Sequence, residues 1–266
     1  MLLHSKSVKR GVCQMKYYVT ADVHSFFTQM VAALEKAGYF TDTAPHKLVI
    51  LGDLFDRGQE AKELQNFVLD LMSRNEIILI RGNHEDLFVE MATTDHGLAY
   101  SHHISNGTFD TALQLTGYDP VLAVLRNYDF ADAAKDTPLY QKIIPSMLDY
   151  YESSKYIFVH GWIPCIRERD GSFRFVTEWR TSDPQEWRKA RWYNGMAVAA
   201  QGVTEEGKTI LCGHWHTSFG HSHLEGKGSE FGADADFSPY YGSGIIALDA
   251  CTGYSGVVNC IVLEDE

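Results

Sequence analysis

Short apolar runs in this chain end directly in segments rich in aspartate, histidine, asparagine and glycine. The run Lys47–Leu51 leads into GDLFDRG, and Ile77–Ile80 leads into RGNHE. Tyr17–Thr20 leads into ADVH, Tyr156–Val159 into HG, and Thr209–Cys212 into GHWH. Stretches with helical spacing of apolar residues separate the first three runs, and such alternation is typical of parallel sheet units covered by helices. The sequence therefore predicts an α/β fold.

Periodicity, glycine and proline set the expected limits of the other elements. Helices are expected from Phe27 to a stop at Gly38, from about Glu60 to Ser73, and over Pro184–Ala200, and later strands at Gly244–Leu248 and Val257–Val262.

The chain of 266 residues suits one large domain, predicted over residues 15–266. Residues 86–153 have a mostly helical pattern interrupted by prolines, with no linker composition at either end, so an inserted helical cap is expected there. Residues 1–14 lack the apolar segment of a signal peptide and are interpreted as a disordered leader or a mis-assigned start.

Charge and composition exclude several classes of partner. With 23 basic and 35 acidic residues the formal net charge is −12, which argues against a broad basic surface for a nucleic acid polymer. No run of about 18 apolar residues is present, so no membrane-spanning helix and no membrane partner are expected. The 5 cysteines lack CxxC spacing and are expected to be reduced, as in a cytoplasmic protein. The oligomeric state stays open.

The polar segments that end the strands predict a metal site. In open α/β sheets, ligands bind beyond the carboxyl ends of the strands. Carboxylate, imidazole and amide donors without thiolate suit manganese, iron or zinc. Asp53 lies in the middle of the set and is the candidate to bridge two ions about 3.5–4 Å apart. Taken alone, each piece has a plainer interpretation: His160 as a core histidine, and Asp56 with Arg57 as a surface ion pair.

Taken together, the motifs DVH, GDLFDRG, RGNHE, VHG and GHWH resemble those of the calcineurin-like metallophosphoesterases. DRG and GNHE are similar to the serine/threonine phosphoprotein phosphatase branch, including its bacterial and phage members. The closing segment GIIALDACTGYSGVVNCIVLE is similar to the terminal strand pair of that branch, so the resemblance spans about residues 16–263. It implies a four-layer sandwich of two mixed β-sheets flanked by helices, with an inserted helical cap.

The resemblance also implies a role for each motif residue and a reaction. A phosphomonoester would be hydrolysed by a hydroxide bridging two divalent ions, with manganese expected and iron or zinc as alternatives. The first ion would take Asp22 and His24, Asp53 would bridge, and the second ion would take Asn83, His160 and His214. Substrate phosphate would contact Arg57 and Asn83, His84 would donate a proton to the leaving oxygen, and Asp56 would orient His84. Arg81 would pair with an acidic neighbour or contact phosphate.

The sequence departs from the family pattern in three places. Ser25 replaces the usual glycine after the first Asp-x-His, which is tolerable if its φ angle is ordinary. His216 accompanies His214 in GHWH and is expected to complete the first metal site. A second phosphate-binding arginine has no clear position, and Arg180 and Arg191 are the candidates. The other histidines discussed are expected in loops or at the surface: His102, His103, His221 and His223.

Three functions remain open on these residues. The first is a serine/threonine protein phosphatase, and the second is a hydrolase of dinucleoside polyphosphates or another small phosphoester. The third is a non-catalytic scaffold, which the complete set of motif residues disfavours. Specificity is expected to depend on the cap and on residues 167–191.

Overall fold

A computed structural model describes residues 15–93 and 100–265. Its strands are β1 (Met15–Thr20), β2 (His46–Ile50), β3 (Ile77–Leu79), β4 (Tyr151–Glu152), β5 (Tyr156–Phe158), β6 (Ile166–Arg167), β7 (Phe173–Arg174), β8 (Thr209–Cys212), β9 (Tyr240–Gly242), β10 (Ile245–Ala247) and β11 (Cys260–Asp265). The predicted leader, residues 1–14, lies outside the described residues.

The α-helices are α1 (Phe27–Ala37), α2 (Ala61–Ser73), α3 (Asn83–Thr93), α4 (Tyr100–Asn106), α5 (Thr108–Thr116), α6 (Pro120–Leu125), α7 (Asn127–Lys135), α8 (Ile144–Ser146), α9 (Pro184–Ala190), α10 (Gly195–Ala199), α11 (Thr217–Phe219) and α12 (Thr252–Ser255). Short 3-10 helices occupy Tyr39–Thr41 and Trp179–Thr181, and π-helical turns occupy Leu139–Ile143 and Gly220–Leu224. None of these helices is both long and apolar enough to cross a membrane.

Two mixed sheets form the centre of the fold. In the first, with order β11-β1-β2-β3, the neighbours β1, β2 and β3 are parallel and β11 is antiparallel to β1. In the second, with order β4-β5-β8-β10-β9, the middle strands are parallel and both edge strands are antiparallel. The predicted α/β class, with two mixed sheets flanked by helices, is confirmed.

Alternate side chains of the strands build the layers. Leu48 and Ile50 of β2 pack in one buried cluster with residues of α1 and α2. Val49 and Leu51 point the other way, into a cluster shared with Phe158 of the second sheet. The opposite face of the second sheet packs against α9 and α10. Because β2 is buried on both faces, it appears in the sequence as a continuous apolar run rather than an alternating one.

The region predicted as a helical cap is mostly helical where it is described, and only its last residues form strand β4. Phe109 of α5 and Phe130 of α7 belong to the same cluster as residues of α1 and α2, and so does Ile143 of the π-helical turn. Residues 94–99 of this region lie outside the described residues. The cap region thus shares its core with the helices that cover the first sheet.

The helix expected over Pro184–Ala200 is wrong as a single element. The chain leaves the helix after Ala190 and begins a second one, α10, at Gly195. The side chain of Asn194 caps α10 by accepting the N–H of Ala197 at 3.2 Å. A side chain at Gly195 would lie 2.6 Å from Trp162, so this close approach requires glycine. Capping and packing therefore override the helical spacing.

Glu152, at the edge of the second sheet, is held by two cations. Its carboxylate accepts hydrogen bonds from Nε and Nη2 of Arg180, both at 2.8 Å, and Lys208 Nζ lies 2.8 Å from its Oε1. The hydrogen bonds from Arg180 are the main reason that the pKa of Glu152 falls from 4.5 to about 2. Because folding lowers this pKa, the interaction stabilises the protein above about pH 4.5 and is lost as the pH falls toward 2.

We expect Glu152→Gln to lower the free energy of unfolding by about 1–2 kcal/mol at pH 7, since one of the two charged partners of Arg180 is removed and only Glu205 remains. The difference from wild type should disappear as the pH falls from 4.5 toward 2. Urea unfolding at a series of pH values measures both effects. Glu168→Gln is the control, because Glu168 pairs with Arg174 at an exposed site and should cost less than about 0.5 kcal/mol. A loss that is the same at every pH would contradict the assignment.

Candidate metal centre

The carboxyl ends of the parallel strands bring the motif residues to one edge of the two sheets. Asp22 follows β1, Asp53 follows β2, and Asn83 begins α3 after β3. Backbone hydrogen bonds join neighbouring loops: the N–H of His24 donates to the carbonyl of Asp53 at 3.0 Å, and that of Gly213 to the carbonyl of His160 at 2.8 Å. Asp22 and His214, which are 192 residues apart in the chain, are also joined here by a hydrogen bond.

Two groups of side chains in the described part of the chain are close enough to hold a metal ion. One consists of His24, Asp53 and His84, and the other of Asp53, His160 and His214, with ligand atoms within 4.8 Å of one another in each group. Asp53 belongs to both groups. A buried carboxylate with one oxygen toward each group is the geometry that a bridging ligand requires.

Backbone carbonyls orient the histidines of these groups. The Nδ1–H of His24 donates to the carbonyl of Phe55 at 2.9 Å, and that of His160 donates to the carbonyl of Leu51 at 2.7 Å. Nε2 of each ring is then left facing Asp53, at 3.8 Å from Oδ2 for His24 and 3.3 Å from Oδ1 for His160. Carbonyls that fix the far nitrogen in this way are typical of metal-binding histidines.

Asn83 and Asp22 lie beside these groups. The Oδ1 atom of Asn83 is 2.8 Å from Nε2 of His160 and therefore faces the second group. The carboxylate of Asp22 accepts the backbone N–H of His214 with both oxygens at 3.0 Å and lies outside both groups. Burial, followed by the charges of Asp249 and Asp53, raises the pKa of Asp22 well above its usual value. A cation is the natural partner for such a crowded set of carboxylates.

The protonation states of His24, His214 and Asp53 suit a cation, whereas, although burial lowers the pKa of His160, the charge of Asp53 raises it overall. Burial lowers the pKa of His24 well below its usual value and that of His214 to about 3. Burial opposes ionisation of Asp53, but the neighbouring His160 and His84 outweigh it and hold its pKa low. Neutral imidazoles and an ionised carboxylate are the forms that bind metals. The donor set therefore fits divalent cations.

His84 is positioned by Asp56 at the edge of the centre. Its Nδ1–H donates to Oδ2 of Asp56 at 2.7 Å, and the same oxygen accepts the hydroxyl of Thr108 at 2.7 Å. The backbone N–H of Asp56 donates to Thr111 at 2.9 Å. Although burial lowers the pKa of His84, the charges of Asp53 and Asp56 and the hydrogen bond to Asp56 raise it overall. Sequence reasoning did not find the two threonines, because both lie in α5, more than 50 residues from their partner.

Arg57 stands on the solvent side of this pair. Its side chain is exposed, and its Nη2 lies 3.2 Å from Nε2 of His84. A guanidinium at the open edge of the centre can meet an incoming oxyanion with two parallel N–H groups.

Glu85 joins two loops of the centre and was not assigned a role from the sequence. Its carboxylate accepts the backbone N–H groups of Asp53 at 3.1 Å, Leu54 at 2.9 Å and Gly82 at 2.8 Å. Burial and the charge of Asp53 raise its pKa to about 7. The bond to Gly82 has the form of a capping box, so a glutamate at the third position of α3 was a readable signal.

Asp249 is a second buried acid missed by the sequence analysis. It follows β10, and its Oδ1 accepts the backbone N–H of Cys251 at 2.7 Å. Burial is the main cause that raises its pKa to about 6, and its charge in turn raises the pKa of Asp22. The signal was present, because this aspartate ends an apolar run just as Asp22 and Asp53 do.

Unusual backbone angles are concentrated in these loops. Asp22, His24, Asp53 and His214 have φ values between 49° and 67°, in the left-handed region that side chains usually avoid. Each such residue costs on the order of 1 kcal/mol or more and persists only where surrounding contacts fix the conformation. The strain therefore marks the loops that carry the candidate ligands.

The condition of an ordinary φ at Ser25 is not met, since its φ is 59°. Its N–H donates to the carbonyl of Leu54 at 2.8 Å, and its carbonyl accepts the N–H of Glu60 at 3.1 Å. A side chain at Gly58 would lie 2.5 Å from the same carbonyl. Bonds to the neighbouring loop on both sides thus hold a serine in a conformation that suits glycine.

His216 is turned away from the two groups. Its Nδ1 is 2.8 Å from the hydroxyl of Ser218, and its Nε2 is 3.2 Å from Oε1 of Glu230. Burial lowers its pKa. The structure therefore gives His216 other partners than the centre.

The arginines considered for a second phosphate contact all have carboxylate partners. Arg81 donates from Nε to Asp86 at 2.8 Å, and Arg191 donates to the other oxygen of Asp86 at 2.7 Å and to Asp149. Arg180 is held by Glu152 as described above. Of the two roles weighed for Arg81, pairing with an acidic neighbour is the one in the structure.

Two of the histidines expected at the surface are buried instead. His103 in α4 and His221 after α11 are 1% and 8% exposed. The two ring nitrogens of His221 lie 3.1 Å from Glu225 Oε2 and 3.1 Å from the carbonyl of Ser238, which satisfies its polar atoms inside the fold.

Comparison with known proteins gives the family of this centre. The model of the calcineurin-like phosphoesterase family matches residues 15–235. The chain belongs to the calcineurin-like phosphoesterases. The family recognised from the motifs is thereby confirmed. Its members are phosphoesterases that depend on two metal ions, and this phosphoesterase has aspartate and histidine groups that could bind them.

Individual proteins that resemble this chain either match only part of it or have low sequence identity to it. The phosphoesterase is 33% identical over 76 residues to the asymmetrical bis(5'-nucleosyl)-tetraphosphatase PrpE of Bacillus velezensis, covering 26% of this chain and 30% of that protein. The corresponding protein of Anoxybacillus flavithermus is 32% identical over 78 residues, covering 27% and 32%. The chain thus spans about a third of the length of these relatives.

Among solved structures, a cold-active protein-tyrosine phosphatase of a psychrophilic Shewanella species has a TM-score of 0.54 to the phosphoesterase. It is 17% identical, and the alignment covers 93% of this chain and 75% of that one. At this identity the likeness shows a shared fold.

We expect Glu85→Gln to lower the free energy of unfolding by about 1–3 kcal/mol, because an amide NH₂ cannot accept the backbone N–H groups that the carboxylate now satisfies. Urea unfolding of the purified phosphoesterase measures this. Glu90→Gln, in the same helix but exposed and paired with Arg188, is the matched control and should change stability by less than about 0.5 kcal/mol. Equal effects of the two substitutions would show that the loop contacts of Glu85 contribute nothing.

Proposed function

We propose that the chain uses two divalent metal ions to hydrolyse phosphomonoesters or, as the second possibility, the phosphoanhydride bonds of dinucleoside polyphosphates. The observation that carries this proposal is that Asp53 belongs to both candidate metal groups, and that the exposed Arg57 lies 3.2 Å from the buried His84 of the first group. A paired-cation site next to a guanidinium and an oriented imidazole provides positive charge for a phosphoryl group and a proton for its leaving oxygen.

In this proposal Asp22, His24 and Asp53 hold one ion, and Asp53, Asn83, His160 and His214 hold the other. When bound, the ions would supply Lewis-acid charge and an activated water. Manganese is the ion we propose, and iron or zinc also suits oxygen and imidazole donors.

The remaining chemistry belongs to the side chains at the edge. Arg57 binds two phosphate oxygens through its planar guanidinium, which neutralises charge that grows in the transition state. His84 donates the proton on Nε2 to the leaving oxygen, and Asp56 keeps the ring in place through Nδ1. The hydroxyl of Thr108 is a second hydrogen-bond partner of Asp56, and it limits the rotation of the Asp56 carboxylate.

Two classes of substrate are proposed. The motifs DRG and GNHE favour phosphoserine and phosphothreonine side chains of proteins as the first class. We propose that the protein acts on them in the cytoplasm. The identity of 32–33% to bis(5'-nucleosyl)-tetraphosphatases over their matched segment favours dinucleoside polyphosphates as the second class. Assays with phosphopeptides, diadenosine tetraphosphate and p-nitrophenyl phosphate in the presence of Mn²⁺ distinguish the two. No turnover of any of these would contradict the proposed function.

His84→Ala should lower kcat on phosphoserine by about 10²–10⁴-fold, because an alkoxide leaving group needs a proton. The loss on p-nitrophenyl phosphate should be much smaller, since that leaving group is stable as an anion. Steady-state kinetics on both substrates measure the difference. Equal losses on the two substrates would remove His84 from the proton-donating role.

Isothermal titration with Mn²⁺ should give two bound ions for the wild-type protein and none of high affinity for Asp53→Ala, because both groups share this residue. His24→Ala should keep one ion. His216→Ala should keep two, since that side chain faces Ser218 and Glu230. Chelation should abolish phosphatase activity, and Mn²⁺ should restore it. Two ions retained by Asp53→Ala would exclude a bridging carboxylate.

A further inference from the structure

Two tryptophan side chains beside the metal centre are exposed, although the chain buries its others. Trp192 is 49% exposed and Trp215 is 37% exposed, whereas Trp162, Trp179 and Trp187 are exposed by at most 3%. An indole is a large apolar group that usually contributes to a core. Exposed aromatic rings grouped at one place indicate a binding surface.

Both exposed rings pack against the same candidate ligand. The ring centroid of Trp192 is 5.7 Å from that of His214, with an interplanar angle of 83°. The centroid of Trp215 is 6.0 Å from the same imidazole, with an angle of 65°. Because His214 belongs to the group that contains Asp53, the two indoles stand at the rim of the centre, one side chain away from it.

Neighbouring residues fix the positions of these rings. Trp192 lies in the break between α9 and α10, where its backbone N–H donates to the carbonyl of Lys189 at 3.0 Å. Trp215 is stacked on His216 at 6.2 Å and 27° and meets the edge of Phe219 at 6.3 Å. Since a tryptophan side chain has only two rotatable bonds, rings held in this way lose little entropy when they bind a flat ligand.

We propose that Trp192 and Trp215 form an aromatic platform that binds the base of a nucleotide phosphoester while its phosphate occupies the metal centre. The inference rests on the proposed phosphoester hydrolysis and favours the second class of substrate. Indole rings stack on nucleobases through their π faces, and such stacking tolerates any base. A phosphoserine side chain offers no flat surface to these rings.

A phenol ring and a nucleobase lie at different distances from the phosphate that is cleaved, so the position of the two indoles distinguishes between them. In an aryl phosphate the ring is bonded directly to the scissile oxygen, so it stays close to the ions. In a nucleotide a ribose lies between base and phosphate. The base can therefore extend past His214, where the indoles lie.

The first test measures binding without turnover. Adenosine monophosphate should quench tryptophan fluorescence of the metal-loaded protein. Its Kd should rise by about 5- to 150-fold in Trp192→Leu and Trp215→Leu, the range of single stacking contacts. Trp192→Phe and Trp215→Phe keep a flat ring and should lose much less. Tyr241→Leu, an exposed aromatic position on β9, is the matched control and should bind like wild type. Equal Kd values in all variants would overturn the platform.

The second test compares substrates. For each leucine variant, the ratio of kcat/KM on diadenosine tetraphosphate to kcat/KM on O-phosphoserine should fall by about the same factor as the affinity for adenosine monophosphate. An unchanged ratio would mean that the indoles only support His214, which would overturn the proposal. An equal loss on a phosphotyrosine peptide would overturn the assignment to a nucleobase. If no phosphoester is hydrolysed but nucleotide binding still depends on the indoles, the proposed function fails and the platform stands.

Discussion

The buried carboxylate of Asp53 is the group on which the rest of the centre depends. An ionised carboxylate without water around it requires strong partners. Here it receives the backbone N–H of His84 at 3.0 Å and faces the imidazoles of His24 and His160. Two sets of donors can meet at one carboxylate only because β2 lies between β1 and β3 in the first sheet, and because β5 of the second sheet ends at the same edge.

The loops around Asp53 keep this arrangement by bonding to one another rather than to solvent. Glu85 binds the N–H groups of two loops, and the histidine rings donate to carbonyls at Phe55 and Leu51. Such contacts stabilise the left-handed backbone at Asp22 and Asp53, which would otherwise relax. Strained backbone thus occurs in the loops of the centre, where rigid geometry is needed, and the layers beneath have regular packing.

The sequence predicted the strands that carry the centre because buried parallel strands appear as apolar runs with an abrupt polar end. That signal brought Asp22, Asp53 and His160 together, while the ion that each would hold stays a prediction. Contacts between distant segments left no local pattern, so Thr108 was missed. Periodicity also continued a helix through the break between Ala190 and Asn194, where Asn194 caps a second helix. Left-handed φ angles at residues such as Ser25 depend on clamping by a neighbouring loop, which spacing alone cannot reveal.

Asp86 forms ion pairs with Arg81 and Arg191, and these pairs restrict which substitutions the protein can accept in evolution. Arg191 binds Asp86 and directly precedes Trp192, while Asp86 lies three residues after Asn83. Asp86 therefore links Arg191, the neighbour of Trp192, to the start of α3, and Asp149 gives Arg191 a second partner. Under the proposals made above for Trp192 and Asn83, a replacement of Asp86 would shift the base platform and a metal ligand together, so descendants that keep this ion pair would change the two sites jointly.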